Sequence, residues 1–204
     1  MNTAAVEREG VLPDRASVQR DRILHAARQC FIDHGFHSAS MSSIADAAGM
    51  SAGLIYRYFE SKNAIILAII ERQLQEKRAD IASLQPGADF AQRVGQVVSR
   101  WRACDQHAMN PALFLEMSAL GSRDPQIGNA LRDADLVTRA DFAAWLVQRS
   151  AEAGRTLEQD QAMARSFALQ CLIEGLALRV VREPDMSDDM VAAALALVLP
   201  GLLS

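Results

Sequence analysis

Between Ser40 and Lys62 the chain carries serines, tyrosines, an arginine and a lysine in a pattern suited to hydrogen bonding with a DNA duplex. Ser40 can cap a short helix in which Met41, Ile44, Ala45 and Ala48 keep an i, i+3, i+4, i+7 spacing, and Gly49 can take the left-handed conformation that ends it. After a sharp turn, Ser51 can cap a second short helix with Ile55 and Phe59 facing inward and Ala52, Gly53, Tyr56 and Arg57 facing outward. The outward surface is small at its tip, which lets the helix come close to base edges, and polar on its flank, which lets it bond phosphates. The pair is therefore expected to be a helix-turn-helix. Its expected DNA contacts are Ser42, Ser43, Ser51, Ala52, Gly53, Tyr56, Arg57, Tyr58 and Lys62. Base readout would fall to Ser42, Ala52, Gly53 and Arg57, with Arg57 able to bond guanine and Ala52 able to touch a thymine methyl. Arg57 is equally suited to gripping a phosphate.

The elements around this run extend the pattern. A first helix is expected over Arg20–His34 with Ile23, Leu24, Ala27, Cys30 and Phe31 on one face, and Gly35-Phe36 makes the turn that follows it. With these residues, and with Ile44-Ala45, Ala48-Gly49, Ser51, Gly53, Tyr56, Tyr58-Phe59 and Ser61-Lys62 at matching spacing, residues 20–70 resemble the DNA-binding domain of the tetracycline-repressor (TetR) family of bacterial transcription regulators. Two positions depart from the family's pattern. Ala39 stands where a threonine is common, which removes one phosphate contact, and Asn63 stands where an acidic residue often follows the lysine, which weakens the favourable charge at a helix N-terminus. The resemblance implies that Tyr56 and Lys62 are phosphate clamps, Lys62 being placed at a helix start where backbone N–H groups also favour phosphate.

The resemblance also implies a second, larger helical domain in which helices four to eight enclose an inducer. Trp101, Arg102, Phe114, Met117, Phe142, Trp145, Phe167, Gln170, Cys171 and Glu174 form the candidate ligand site. Aromatic and methionine side chains at helical spacing are more often plain core, so only the resemblance raises the pocket reading. Glu116, Arg102, Gln170 or Glu174 could orient a ligand within apolar walls, which favour a hydrophobic or amphipathic molecule over a sugar phosphate.

Other side chains suggest less. His25, His34 and His37 suit a helix end or a solvated face better than a metal site, and Cys30, Cys104 and Cys171 form no C-x-x-C pair. Cys104 or Cys171 could sense oxidants, although a small buried thiol is the commoner fate. No metal, cofactor or catalytic constellation is expected, and the chain does not read as an enzyme.

The supporting architecture is expected to be all-α, with about nine helices, and to fall into an arm over 1–17, a three-helix DNA-binding domain over 18–64 and a ligand-binding and dimerisation domain over 65–204. Arg15 or Arg20 could carry the arm into a minor groove, and a disordered tail is the plainer alternative. Half of the 204 residues are hydrophobic, enough for a substantial core, and the net charge of -4 argues globally against nucleic acid. Locally, residues 15–62 carry six Lys/Arg against four acids, so affinity must rest on dimerisation and neutral donors as much as on charge. Helix starts are marked by Ser61, Asp89, Pro111, Asp124-Pro125, Glu158 and Asp188, and Gly154 marks a stop. The last helix is apolar on nearly every side, so it and the helix before it are expected to form the homodimer interface.

The N-terminus lacks a signal-peptide core, and the apolar run Met190 to Leu203 is too short to span a membrane; a cytoplasmic protein is expected. The expected function is a transcriptional repressor that binds a palindromic double-stranded DNA operator and leaves it when a small molecule binds. A transcriptional activator or a ligand-independent repressor would share these features, and more remotely so would a helical small-molecule-binding protein or an enzyme.

Overall fold

The computed structural model describes residues 14–85, 89–105 and 108–203, and these form nine helices with no strand among them. The chain divides into two compact units, Met1–Lys62 and Asn63–Ser204.

In the first unit α1 spans Arg15–Ser38, α2 Met41–Ala48 and α3 Ala52–Tyr56. The α1 face predicted from spacing is the one that is buried: Ile23, Leu24, Ala27, Cys30 and Phe31 lie inside, with Ile44, Ala45, Ala48, Ile55 and Phe59 from the following elements. Two boundaries move. Helix α1 begins at Arg15, five residues earlier than expected, because the Asp14 carbonyl accepts from the backbone of Val18 and from the Ser17 hydroxyl. Residues 15–17 are thus helix and not arm; the rest of the expected arm, residues 1–13, lies outside the described residues. Gly35 interrupts α1 at φ 74°, ψ 160°, so Phe36 to Ser38 form a separate last turn after a kink, where the sequence predicted a turn.

The second unit contains α4 Lys62–Ala82, whose first residue closes the first unit, then α5 Phe90–Arg102, α6 Pro111–Gly121, α7 Pro125–Glu152, α8 Gln159–Arg182 and α9 Asp188–Leu203. Side-chain caps fix three of the starts. Asp89, Asn110 and Asp124 accept from the backbone N–H groups of Gln92, Leu113 and Gln126 respectively, each satisfying a donor the helix itself leaves unpaired. Helices α6 and α7 cross at Gly121 and Gly128, where a Cβ on Gly128 would lie 2.5 Å from the Gly121 carbonyl oxygen; no side chain fits there.

Helix α9 is less uniform than its composition suggests. Val191, Leu195 and Leu199 recur every four residues on its buried face, while Met190, Leu197 and Val198 lie outside, Leu197 being 83% exposed. On α8, Phe167 and Val181 are also exposed. Leu195, 1% exposed, belongs to the core of its own chain and is not available to a partner.

Candidate nucleic-acid interface and ligand cavity

The reading helices are held by their own polar side chains. Ser40 and Ser43 form a reciprocal capping box: the Ser43 backbone N–H donates to Ser40 Oγ at 3.0 Å, and the Ser40 backbone N–H donates to Ser43 Oγ at 2.9 Å. Ser43 Oγ also donates to the Ser40 carbonyl, so this hydroxyl is committed to the helix start and not to DNA, a correction to its expected role. Gly49 ends α2 at φ 60°, ψ 41°, as its position required. Ser51 caps α3 through the Leu54 N–H at 3.3 Å.

What remains outward is the predicted surface. Ser42, Ala52, Gly53 and Arg57 are exposed, and Tyr56 is 55% exposed. A Cβ built on Gly53 would meet nothing within 4 Å, and its φ is ordinary. The protein's own packing therefore gives no reason for a glycine there. Arg57 caps the end of α3, since the helix stops at Tyr56, and Tyr58 is half-buried.

Two cations expected on the DNA side bond carbonyls of their own chain. Lys62 Nζ donates to the carbonyls of Phe36, His37 and Ala39 and lies 4.3 Å from the centre of the Phe36 ring. Burial lowers its pKa from the usual lysine value. Arg20 donates to the Tyr58 carbonyl at 3.2 Å, and its guanidinium lies 4.5 Å from the centre of the Phe59 ring. Arg20 is therefore part of the three-helix unit and is not a minor-groove finger, and the Lys62 ammonium is occupied by the protein's own carbonyls.

The second unit contains a partly open cavity of about 210 Å³. Its walls are mostly apolar, with Phe90, Trp101, Phe114, Phe142 and Ile173 among them. Polar groups come from four helices: Gln73, Glu76, Lys77 and Asp80 from α4, Arg93 and Arg100 from α5, Asp135 and Thr138 from α7, Gln170 and Glu174 from α8. Gln170 uses both ends of its amide, accepting from Arg139 and donating to the Asp135 carbonyl, and Thr138 donates to the Ala134 carbonyl. Gln73 is only 7% exposed, and its Nε2 has no hydrogen-bond partner. Burial raises the Asp135 pKa; burial and the Asp135 charge raise that of Glu174, while Lys77 and Arg139 pull both back down.

Five of the ten predicted ligand residues line this cavity: Trp101, Phe114, Phe142, Gln170 and Glu174. The others are corrected. Arg102 bonds the Met186 carbonyl and pairs with Asp188, tying the end of α5 to the start of α9. Met117 is sealed in the core. Trp145 is buried in the core, 5.2 Å between ring centres from Phe90, and is not among the residues lining this cavity. Phe167 is 51% exposed, with Arg139 over its ring, and Cys171 is exposed. Cys104 is exposed as well, so neither of these two thiols has the buried fate named as the commoner one, and Cys30 is the buried cysteine. Glu116 is absent from the lining. The cavity groups missed from sequence, Gln73 and Asp135 above all, had a signal: Gln73 continues the buried Ile66, Ile69, Ile70 register of α4 with a polar residue.

The sequence profile of "Bacterial regulatory proteins, tetR family" matches residues 23–69, the helix-turn-helix unit and the start of α4. Over 190 residues the chain is 30% identical to the HTH-type transcriptional regulator UidR of Escherichia coli (strain K12), covering 93% of this chain and 95% of that one. The chain belongs to the TetR family. It is similar also to the HTH-type transcriptional regulator BetI of Cronobacter sakazakii, 29% identical over 79% of each chain. Among solved structures it resembles Salmonella enterica GusR, with a TM-score of 0.74 and 28% identity over 94% of this chain and 98% of that one. As a member of the TetR family it is a DNA-binding transcriptional regulator and not an enzyme. Regulators of this family bind operator DNA and act as dimers with small-molecule ligands.

Proposed function

We propose that this TetR-family protein is a cytoplasmic, homodimeric repressor that binds a palindromic operator and is released by a small amphipathic molecule held in the α4–α8 cavity. The observation that carries the reading is the coexistence of two unsatisfied surfaces. One is the exposed α2–α3 face, with a glycine that the fold does not explain; the other is a largely apolar cavity into which Gln73 brings a buried, unpaired donor. An amphipathic ligand answers the second: its apolar body fits among Phe90, Trp101 and Phe142, and an acceptor on its polar end satisfies Gln73. The exposed Leu197, Val198, Phe167 and Val181 support a dimer built on α8 and α9, since apolar groups on adjacent helices gain most by covering one another. No helix among the described residues is long and apolar enough to cross a membrane, which agrees with a cytoplasmic regulator.

Release follows from geometry. A dimer reads successive major grooves only when its recognition helices stand about 34 Å apart or a multiple of that. Helix α4 starts at Lys62 and carries cavity residues Gln73 and Lys77, so a ligand that favours one position of α4 biases that spacing. The coupling is reciprocal: a ligand that weakens operator binding tenfold binds tenfold more weakly to the operator complex, about 1.4 kcal/mol either way. The test is to identify any molecule that co-purifies with the protein and titrate it against the protein bound to its operator. Dissociation supports release, and an identical ligand affinity with and without operator contradicts it.

A further inference from the structure

The charges around the cavity cancel, whereas its hydrogen-bonding needs do not. At its wall Glu76 pairs with Arg72 at 3.1 Å, Asp80 with Arg93 at 3.8 Å and Arg100 with Asp105 at 2.7 Å, so each of these charges is met. There remain the Asp135 and Glu174 carboxyls, with Lys77 and Arg139 acting on both of them: two acids against two cations. An ionic ligand would find no spare counter-charge here, and a buried charge without one is costly. The site therefore favours an uncharged polar end.

Gln73 and Lys77 stand one turn apart on the same face of α4, and Lys77 acts on both carboxyls, so the Gln73 amide and the two acids share one part of the wall. Gln73 Nε2 is a buried donor without a partner. Among the described residues neither carboxyl accepts a hydrogen bond, and burial raises the pKa of both. Gln170 relieves neither side, since its amide is spent on Arg139 and the Asp135 backbone. A ligand carbonyl or ether answers only Gln73, and an ammonium answers only the carboxyls. A hydroxyl answers both, accepting through its oxygen and donating its proton. We propose that the cavity takes an uncharged alcohol or phenol, its apolar body among Phe90, Trp101 and Phe142 and its hydroxyl bridging Gln73 and the Asp135–Glu174 carboxyls. The proposal rests on the reading of this cavity as the ligand site.

Four probes with one naphthalene body separate the alternatives: 2-naphthol, 2-methoxynaphthalene, 2-naphthoate and 2-naphthylmethylammonium, each titrated calorimetrically into the full-length protein near neutral pH. The first donates and accepts, the ether only accepts, and the other two carry charges of opposite sign. 2-Naphthol should bind at least about tenfold more tightly than each of the others. Burial of apolar surface alone favours the ether, which has one more carbon, so it cannot produce that order. An ether that binds as tightly would show that donation to the carboxyls contributes nothing, and a tighter naphthoate or ammonium would show that the site selects a charge; either overturns the proposal. Gln73→Leu should weaken 2-naphthol at least about fivefold, and an unchanged affinity would remove Gln73 from the site. Should the variant fail to fold, the wild-type ranking decides. If 2-naphthol ranks first yet leaves the protein bound to a duplex obtained by in vitro selection, release falls and the hydroxyl site stands. If none of the four binds up to about 1 mM, the hydroxyl site falls, while release by a co-purified molecule of another class is unaffected.

Discussion

Replacing Gly53 with alanine separates what the fold needs from what DNA needs. Gly53 lies inside α3 with an ordinary φ, and its added Cβ would have nothing within 4 Å. Within a helix, glycine costs about 0.5–1 kcal/mol relative to alanine through backbone entropy. Gly53→Ala should therefore stabilise the protein by up to about 1 kcal/mol, which for a chain of this size raises the melting temperature by about 2–4 °C. On DNA the sign reverses. If the tip of α3 lies against base edges, a methyl group at position 53 occupies the approach, and losing one well-made base contact costs about 1–3 kcal/mol, roughly 5-fold to 150-fold in affinity. Thermal unfolding and fluorescence anisotropy on the same preparation read the two effects. A variant that is more stable and binds as tightly as wild type refutes close approach at Gly53; one that is less stable shows that the glycine serves the fold.

Leu197→Glu should leave the fold of each chain intact, since residue 197 is already solvated, yet shift sedimentation toward monomer. Leu195→Ala, at a core position of the same helix, should instead cost about 2–5 kcal/mol of stability. Gln73→Leu removes a buried donor without a partner, so the free protein should gain about 1 kcal/mol in denaturant titration while operator release by ligand is lost. Asp135 holds its proton to a higher pH in the folded chain than in the unfolded one. Its contribution to stability is thus complete in acid and is lost as pH rises from the ordinary carboxylate range through its raised native value. Asp135→Asn should match wild type in acid and melt at a higher temperature at mildly alkaline pH; equal melting throughout would mean that burial of Asp135 carries no such cost.

The helix-turn-helix was legible because its signals are local. Ser40, Gly49 and Ser51 act on backbone groups within a few residues, and each took the cap or left-handed role its position implied. The same locality made Pro111, Asp124 and Pro125 dependable helix starts. The roles of Lys62 and Arg20 were not legible, because the carbonyls they bond lie 23 to 38 residues away, and a cation among polar neighbours looks the same whether it faces phosphate or main chain. The cavity failed in half its members for a related reason. Phe167 and Trp145 have the composition of a pocket wall, but which face of a helix meets the cavity is set by packing between helices distant in sequence. Gln73 carries a stronger mark than any aromatic side chain, being a polar residue in the register of the buried isoleucines of α4.

In vitro selection of duplexes from a fully random library tests the central claim most directly. Retained duplexes should converge on an inverted repeat whose half-site centres are about 10–10.5 base pairs apart or a multiple of that, as two copies of the α2–α3 face related by a two-fold axis require. Convergence on no sequence, or on a single site without two-fold symmetry, would contradict the account of this chain as a dimeric reader of palindromic DNA.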